Sequence, residues 1–266
     1  MKVPVYNLKG EETEKFKLPK QFETPVREDL IRKAVTAAQK NRVQPYGSKT
    51  GAGRLSSAKF RGTRRGYGHS YNWSVARLPR LLLRGGRRVG RVVSVPQAVG
   101  GPAAHPPKAE REWDHKMNDK ERRLAIRAAL AAAVNKEMVV LRGHKAPKAY
   151  PFVVVEAFEG ISKTKDIVAA FESLGLSQEL ERASKKKLRA GRGKSRGRTY
   201  KRVKGPLLVI GEPSPVVKAA SNIPGVDVVT VNQLNAELLA PGAHPGRLTI
   251  FTKKALEKMD KDKLFL

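Results

Sequence analysis

The residue types that could do covalent chemistry crowd into one stretch. GKSRG, from Gly193, fits the G-x-S-x-G pattern of a nucleophile elbow, with Ser195 in the serine position. That chemistry needs a buried strand before the serine and a helix after it. The flanks are KKKLRAGR and RTYKR, which supply no apolar strand. The same GKS resembles the end of a phosphate-binding loop, but Leu188 stands where that loop needs its first glycine. Gly191 and Gly193 begin a dinucleotide fingerprint that Arg196 interrupts. All three matches are what a segment rich in Gly, Lys, Ser and Arg produces by chance.

The histidines are His69, His105, His115, His144 and His244, and no pair has metalloprotease spacing. The chain has no cysteine, which excludes disulfides, thiol catalysis and Cys-based zinc sites. Acids such as Glu110, Glu112 and Asp119 read as surface charge on polar helix faces. No catalytic constellation emerges, so the expectation is a non-enzyme with no metal and no cofactor. An RNA-processing factor that uses basic arms to hold its substrate is the alternative.

The chemistry that remains is recognition of phosphate. The 266 residues carry 54 Lys and Arg against 24 Asp and Glu, a net charge of +30. A protein so basic repels itself unless a polyanion neutralises it. The charge is also concentrated. Residues 41–109 hold fourteen basic and no acidic residues, and residues 182–204 hold twelve and none. The other positions hold 28 basic residues against 24 acidic, an ordinary balance. Aromatics interleave with the cations: Phe60, Tyr67, Tyr71, Trp73 and Tyr200.

The first basic segment also holds eleven of the 23 glycines and prolines at Pro79, Pro96, Pro102, Pro106 and Pro107. Such a chain sustains neither a helix nor a central strand. A stretch of this length without regular structure is expected to be functional or disordered. A basic membrane segment would show an amphipathic period, which is missing, and no apolar run approaches the ~20 residues of a span. The leader MKVPVYNLKGEETEKF lacks the apolar core of a signal peptide. DNA readers commonly present a helix to the major groove. Extended Arg, Gly and aromatic chain suits folded RNA, whose splayed bases stack on Tyr, Trp and Arg.

The elements that must position these residues read as alternating strands and helices. VPVYNL from Val3, FVVVE from Phe152, LLVIG from Leu207, VDVVTV from Val226 and RLTIF from Arg247 are strand candidates. Pro25 suits a first helical turn whose apolar face is Leu30, Ile31, Ala34, Val35 and Ala38. Asn118 and Glu121 approximate a capping box ahead of ERRLAIRAALAAAVNKE. KTKDIVAAFESLG reads as a helix closed by Gly175. Short helices are expected near Val216 to Ser221 and Gln233 to Leu239, with a last one from Thr252. The expected fold is α/β: a mostly parallel sheet flanked by helices, with a long extended internal loop. Residues 1–41 and 118–266 would form one globular domain, 42–117 the loop, and 182–204 a second basic segment within the domain.

Several stretches carry a resemblance: FETPVREDLIRKAV from Phe22, AHPPK from Ala104, NDKERRLAIRAALAA from Asn118, LRAGRGKSRGR from Leu188 and LAPGAHPGRLTIFT from Leu239. Together they make the chain similar to the universal large-ribosomal-subunit protein four family, in its archaeal/eukaryotic form. The resemblance implies a cytoplasmic structural constituent of the large ribosomal subunit that binds its rRNA and supports assembly. It also implies an internal loop that lines part of the polypeptide exit tunnel. Partners would be large-subunit rRNA, neighbouring ribosomal proteins including the family numbered twenty-two at the tunnel constriction, and the nascent polypeptide. The family's loop motif corresponds to Gly62, Thr63, Arg64, Arg65 and Gly66, followed by Arg84, Gly85 and Gly86, with Arg64 departing from the usual glycine. The RNA-binding residues expected from the loop are Arg54, Lys59, Arg61, Arg64, Arg65, Tyr67, Tyr71, Trp73, Arg77, Arg80, Arg84, Arg87, Arg88, Arg91, His105 and Lys108. Those expected from the second segment are Lys185, Lys186, Lys187, Arg189, Arg192, Lys194, Arg196, Arg198, Lys201 and Arg202.

Overall fold

A computed structural model of the chain describes residues 1–65, 71, 74–81 and 90–266. They form two compact units, one of Met1–Asn41 with Asp114–Leu266, the other of Arg42–Trp113. In the larger unit six strands make one sheet: β1 (Lys2–Tyr6), β2 (Glu12–Lys17), β3 (Val153–Val154), β6 (Leu207–Ile210), β7 (Asp227–Thr230) and β8 (Thr249–Thr252). Their spatial order is β2-β1-β3-β8-β6-β7. Only β1 and β2 pair antiparallel; every other neighbouring pair is parallel. Two further strands, β4 (Lys186–Leu188) and β5 (Tyr200–Arg202), form a separate antiparallel pair. The fold is α/β, as expected.

Strand alternation explains how the sheet buries both faces. Val153, Leu207, Val209 and Phe251 join one apolar cluster, while Val154, Leu208, Ile210 and Ile250 join the other. Helices α1 (Glu28–Asn41), α2 (Asp119–Val134), α7 (Ala236–Leu239) and α8 (Lys253–Lys261) cover the first face. Helices α4 (Thr164–Ser173) and α6 (Val216–Ser221) cover the second, with Val139 of α3 (Lys136–Leu141) and Leu176 ahead of α5 (Ser177–Ser184). In α2 the buried residues include Ala125, Ala128, Ala129, Ala132 and Ala133, small enough to let neighbouring chain approach closely.

Several details depart from the sequence expectation. The FVVVE strand shortens to two residues, because a 3-10 turn takes over from Glu156. Pro25 precedes α1 instead of opening it. Asn118 does occupy the N-cap of α2, but its side chain makes no capping hydrogen bond. The Glu121 carboxylate is taken by Lys33 of α1 at 2.7 Å, which ties the two helices together. β2 was not anticipated, since ETEKFK exposes all but Phe16 and so shows no buried apolar alternation. Glu110 and Glu112 lie outside any helix.

Among its described residues the Arg42–Trp113 unit holds one 3-10 turn, Ala52–Arg54, and two isolated bridges, Lys59 to Arg80 and Arg80 to Val92. Hydrogen bonds from Leu81 N to Arg91 O (3.0 Å) and Gly90 N to Leu81 O (2.8 Å) extend the bridging. It contains neither an α-helix nor a regular strand among its described residues.

Candidate nucleic-acid interface

The β4–β5 pair is a hairpin projecting from the larger unit, in register Lys186 to Arg202, Lys187 to Lys201 and Leu188 to Tyr200. Both strands are exposed along their whole length. Alternation puts Lys186, Leu188, Tyr200 and Arg202 on one face and Lys187 and Lys201 on the other. Lys186 Nζ lies 4.5 Å from the Tyr200 ring centroid. The connecting turn is closed by Arg189 N donating to Thr199 O (2.8 Å) and Arg198 N to Gly193 O (3.0 Å). Gly191 and Gly197 adopt φ of +80° and +79°, which L side chains rarely tolerate, so these glycines serve the turn. Ser195 Oγ donates to Arg192 O at 3.0 Å in this exposed turn.

Two polar clusters, centred on the buried Glu179 and the buried Arg247, anchor the hairpin's ends. On one side Arg182 donates twice to Glu179, at 2.6 and 2.8 Å, and once to Lys204 O at 2.8 Å. Glu179 also accepts from His144 Nδ1 (2.7 Å) and Lys145 N (2.9 Å). Burial pushes the Glu179 carboxyl up, but the hydrogen bonds from Arg182, His144 and Lys145 outweigh it and hold its pKa at about 2. Burial keeps His144 below the usual histidine pKa despite the carboxylate beside it, so the ring is neutral and donates through Nδ1. On the other side the buried Arg247 donates to Gly205 O (3.0 Å), Leu238 O (2.9 Å) and Asp227 (2.6 Å). Asp227 also pairs with Lys204 at 2.9 Å.

These anchors matter energetically because the hairpin cannot hold itself together. An exposed cation–π contact contributes only ~0.5–1 kcal/mol, and the surrounding cations repel one another. Among the described residues no carboxylate pairs with Lys185, Lys186, Lys187, Arg189, Arg192, Lys194, Arg196, Arg198, Lys201 or Arg202. All but the half-buried Arg189 are exposed. Arg189 donates to Arg198 O (3.0 Å) and Tyr200 O (3.4 Å), so it braces the turn. The result is a firmly held cluster of unneutralised cations with an aromatic and a leucine among them. That is the composition that grips a phosphate backbone while bases stack.

In the smaller unit, Arg54, Lys59, Arg64, Arg65, Arg77, Arg91, His105 and Lys108 are exposed, and Arg61 is half-buried. Arg77 lies 4.7 Å and Arg64 6.0 Å from the Tyr71 ring centroid, one aromatic flanked by two guanidiniums. Two of the expected RNA contacts are engaged by the unit's own backbone. Arg80 donates to Gly90 O and Ala76 O, both at 2.9 Å, and Arg91 to Val99 O at 2.8 Å. Tyr67, Trp73, Arg84, Arg87 and Arg88 lie outside the described residues. Sequence reading passed over Trp113, whose ring lies 4.8 Å from that of Tyr46 at a 46° tilt, with Arg111 over it at 5.5 Å. It also passed over Arg142, the C-cap of α3. Among the described residues no group of three or more His, Asp or Glu could hold a metal, and no helix is long and apolar enough to cross a membrane.

Comparison with known proteins gives one answer. The family model described as "Ribosomal protein L4/L1 family" matches residues 16–262. The chain is 49% identical to the large ribosomal subunit protein uL4 of Archaeoglobus fulgidus, over 97% of both chains. It is 47% identical to the protein of that name from Methanopyrus kandleri, over 98% of both, and 46% identical to that of Nanoarchaeum equitans, over 100% of both.

Proposed function

The chain belongs to the ribosomal protein L4/L1 family, and from that premise we propose that it is a structural constituent of the large ribosomal subunit. Its work there is to neutralise and cross-brace large-subunit rRNA. The observation that carries this reading is the anchored hairpin, whose ten cations face no carboxylate among the described residues. A fold that holds like charges together at this density gains nothing from them alone; phosphate supplies the missing counter-charge.

The finer reading follows the same logic. Residues 182–204 grip rRNA at the surface of the larger unit. The Arg42–Trp113 unit penetrates rRNA and reaches the polypeptide exit tunnel. There it meets a neighbouring protein of the family numbered twenty-two and the nascent chain. The role is binding and not catalysis; the relatives above are named as subunit proteins and not as processing enzymes.

Sedimentation tests this directly. Lysate run through sucrose gradients at low and high salt, with the chain quantified by mass spectrometry, is expected to show it stoichiometric with the large subunit at both. Release into light fractions as salt rises would replace this reading with that of a loosely bound RNA factor.

A further inference from the structure

A cleft of about 770 Å³ opens at the foot of the hairpin in the larger unit. Arg142, Arg182, Lys201 and Lys204 line it, with Leu141, Val203, Pro241 and Pro245 as its apolar wall. Arg182 and Lys204 already answer Glu179 and Asp227. Arg142 does not answer a carboxylate. Among the described residues its guanidinium donates only to the carbonyl oxygens of Pro241 (2.5 Å) and Pro245 (3.4 Å), leaving donors of its fork free to meet a ligand in the cleft that it lines. Burial first, and then the charges of Arg247 and Arg182, pull its pKa down to about 10. Glu28, exposed on the rim, is the one acid in the lining. Leu141 is 88% exposed and Val203 45%, so the apolar wall has no cover in the chain itself. The exposed His244 ring completes it.

We propose that this cleft receives one unstacked nucleotide of the RNA that the hairpin grips, its phosphate on Arg142 and Lys201 and its base against Leu141, Val203 and the His244 ring. The inference rests on the ribosomal reading above and adds a site to it. The volume lies within the range of small-ligand pockets, roughly 300–1,000 Å³. An acidic peptide would satisfy the cations but leave the apolar wall unused. A nucleotide uses both, since its charge and its flat apolar face are a few ångströms apart. Lys201 also argues for RNA: it lines the cleft and sits opposite Lys187 in the hairpin, so one strand can follow the cations from one to the other.

Photocrosslinking decides the matter. The full chain is mixed at physiological salt with an oligouridylate carrying 4-thiouridine, irradiated, digested and mapped by mass spectrometry. Crosslinks are expected on the peptides around Leu141 and His244 as well as on the hairpin. Leu141→Ala and His244→Ala, both at exposed side chains that leave the fold intact, are each expected to lower the cleft crosslinks about tenfold and spare those on the hairpin. Hairpin crosslinks without cleft crosslinks would refute the site while leaving the ribosomal reading in place. Loss of only the cleft crosslinks to a polyglutamate competitor would assign the cleft to an acidic protein segment and refute it as well. No crosslink anywhere would overturn both readings.

Discussion

Glu179 has no exposed side-chain surface and accepts four hydrogen bonds. Its carboxyl sits at about 2, against 4.5 for an unperturbed glutamate. A depressed carboxylate stabilises the fold above the unfolded value and loses that contribution as pH falls through the folded one. His144 tilts the same way, because burial lowers its pKa and acid must charge it against that burial. Acidification from about 4.5 towards 2 should therefore remove up to about 3 kcal/mol attributable to Glu179. Glu179→Gln is expected to cost about 3 kcal/mol at neutral pH, by stranding Arg182 beside a neutral group, and to flatten the acid limb over that window. Urea titrations of both forms followed by far-ultraviolet circular dichroism check this, and an unchanged acid limb would assign the pH dependence elsewhere. Tryptophan fluorescence would not serve, since Trp73 and Trp113 both fall within residues 42–113. At this scale the sequence was least legible. Glu179 and Arg182 are i,i+3 neighbours and could be paired by eye, but His144 arrives from 35 residues away. Arg142 is one of many cations in the sequence, and only the 241–245 turn, whose Pro241 and Pro245 carbonyls accept from it, sets it apart.

Elements were legible where burial leaves a periodic trace. The fully buried LLVI and TIFT segments and the helix closed by Gly175 stand where their apolar runs indicated. β2 was invisible because it is a charged edge strand, a device that discourages edge-to-edge pairing. The hairpin was invisible as strands for a related reason: KKL and YKR are exposed on both faces, so their extended backbone leaves no period-two signal. Its basic charge was legible, and its function is tested by charge. Replacing Lys186, Lys187, Arg196, Arg198 and Arg202 with alanine should flatten the log–log salt dependence of rRNA binding by about 3.5–4.5, if each meets one phosphate. An unchanged slope, measured by filter binding across salt concentrations, would remove the hairpin from the interface. The strand pairing should survive the substitutions, since Arg182, Arg247 and Lys204, which anchor its ends, are untouched.

Over the whole molecule, composition marked a lean α/β body interrupted by a basic stretch, and the chain divides into Met1–Asn41 with Asp114–Leu266 and Arg42–Trp113. Composition could not say which half each early element joins. β1 pairs with β3 across almost 150 positions of sequence, and α1 is tied to α2 through Lys33 and Glu121. This arrangement has a testable signature. Limited trypsin on the free chain should cut first between Asn41 and Lys116, in a unit without α-helix or regular strand among its described residues. The two fragments should nonetheless elute together on gel filtration, held by the β1–β3 pairing and the shared apolar cluster. Bound rRNA should slow the cuts. Fragments that separate would mean that the sheet and the α1–α2 packing do not hold residues 1–41 in place.

The strand order carries one more consequence, and it concerns time. β8 lies between β3 and β6, so it alone joins the β2-β1-β3 half of the sheet to the β6-β7 half. It is also the last strand to be synthesised, at Thr249–Thr252 of 266 residues. Until it emerges, the two halves are separate ribbons with open edges. Both basic segments precede it in the sequence. A growing chain of this protein thus carries its polycationic parts before its sheet can close.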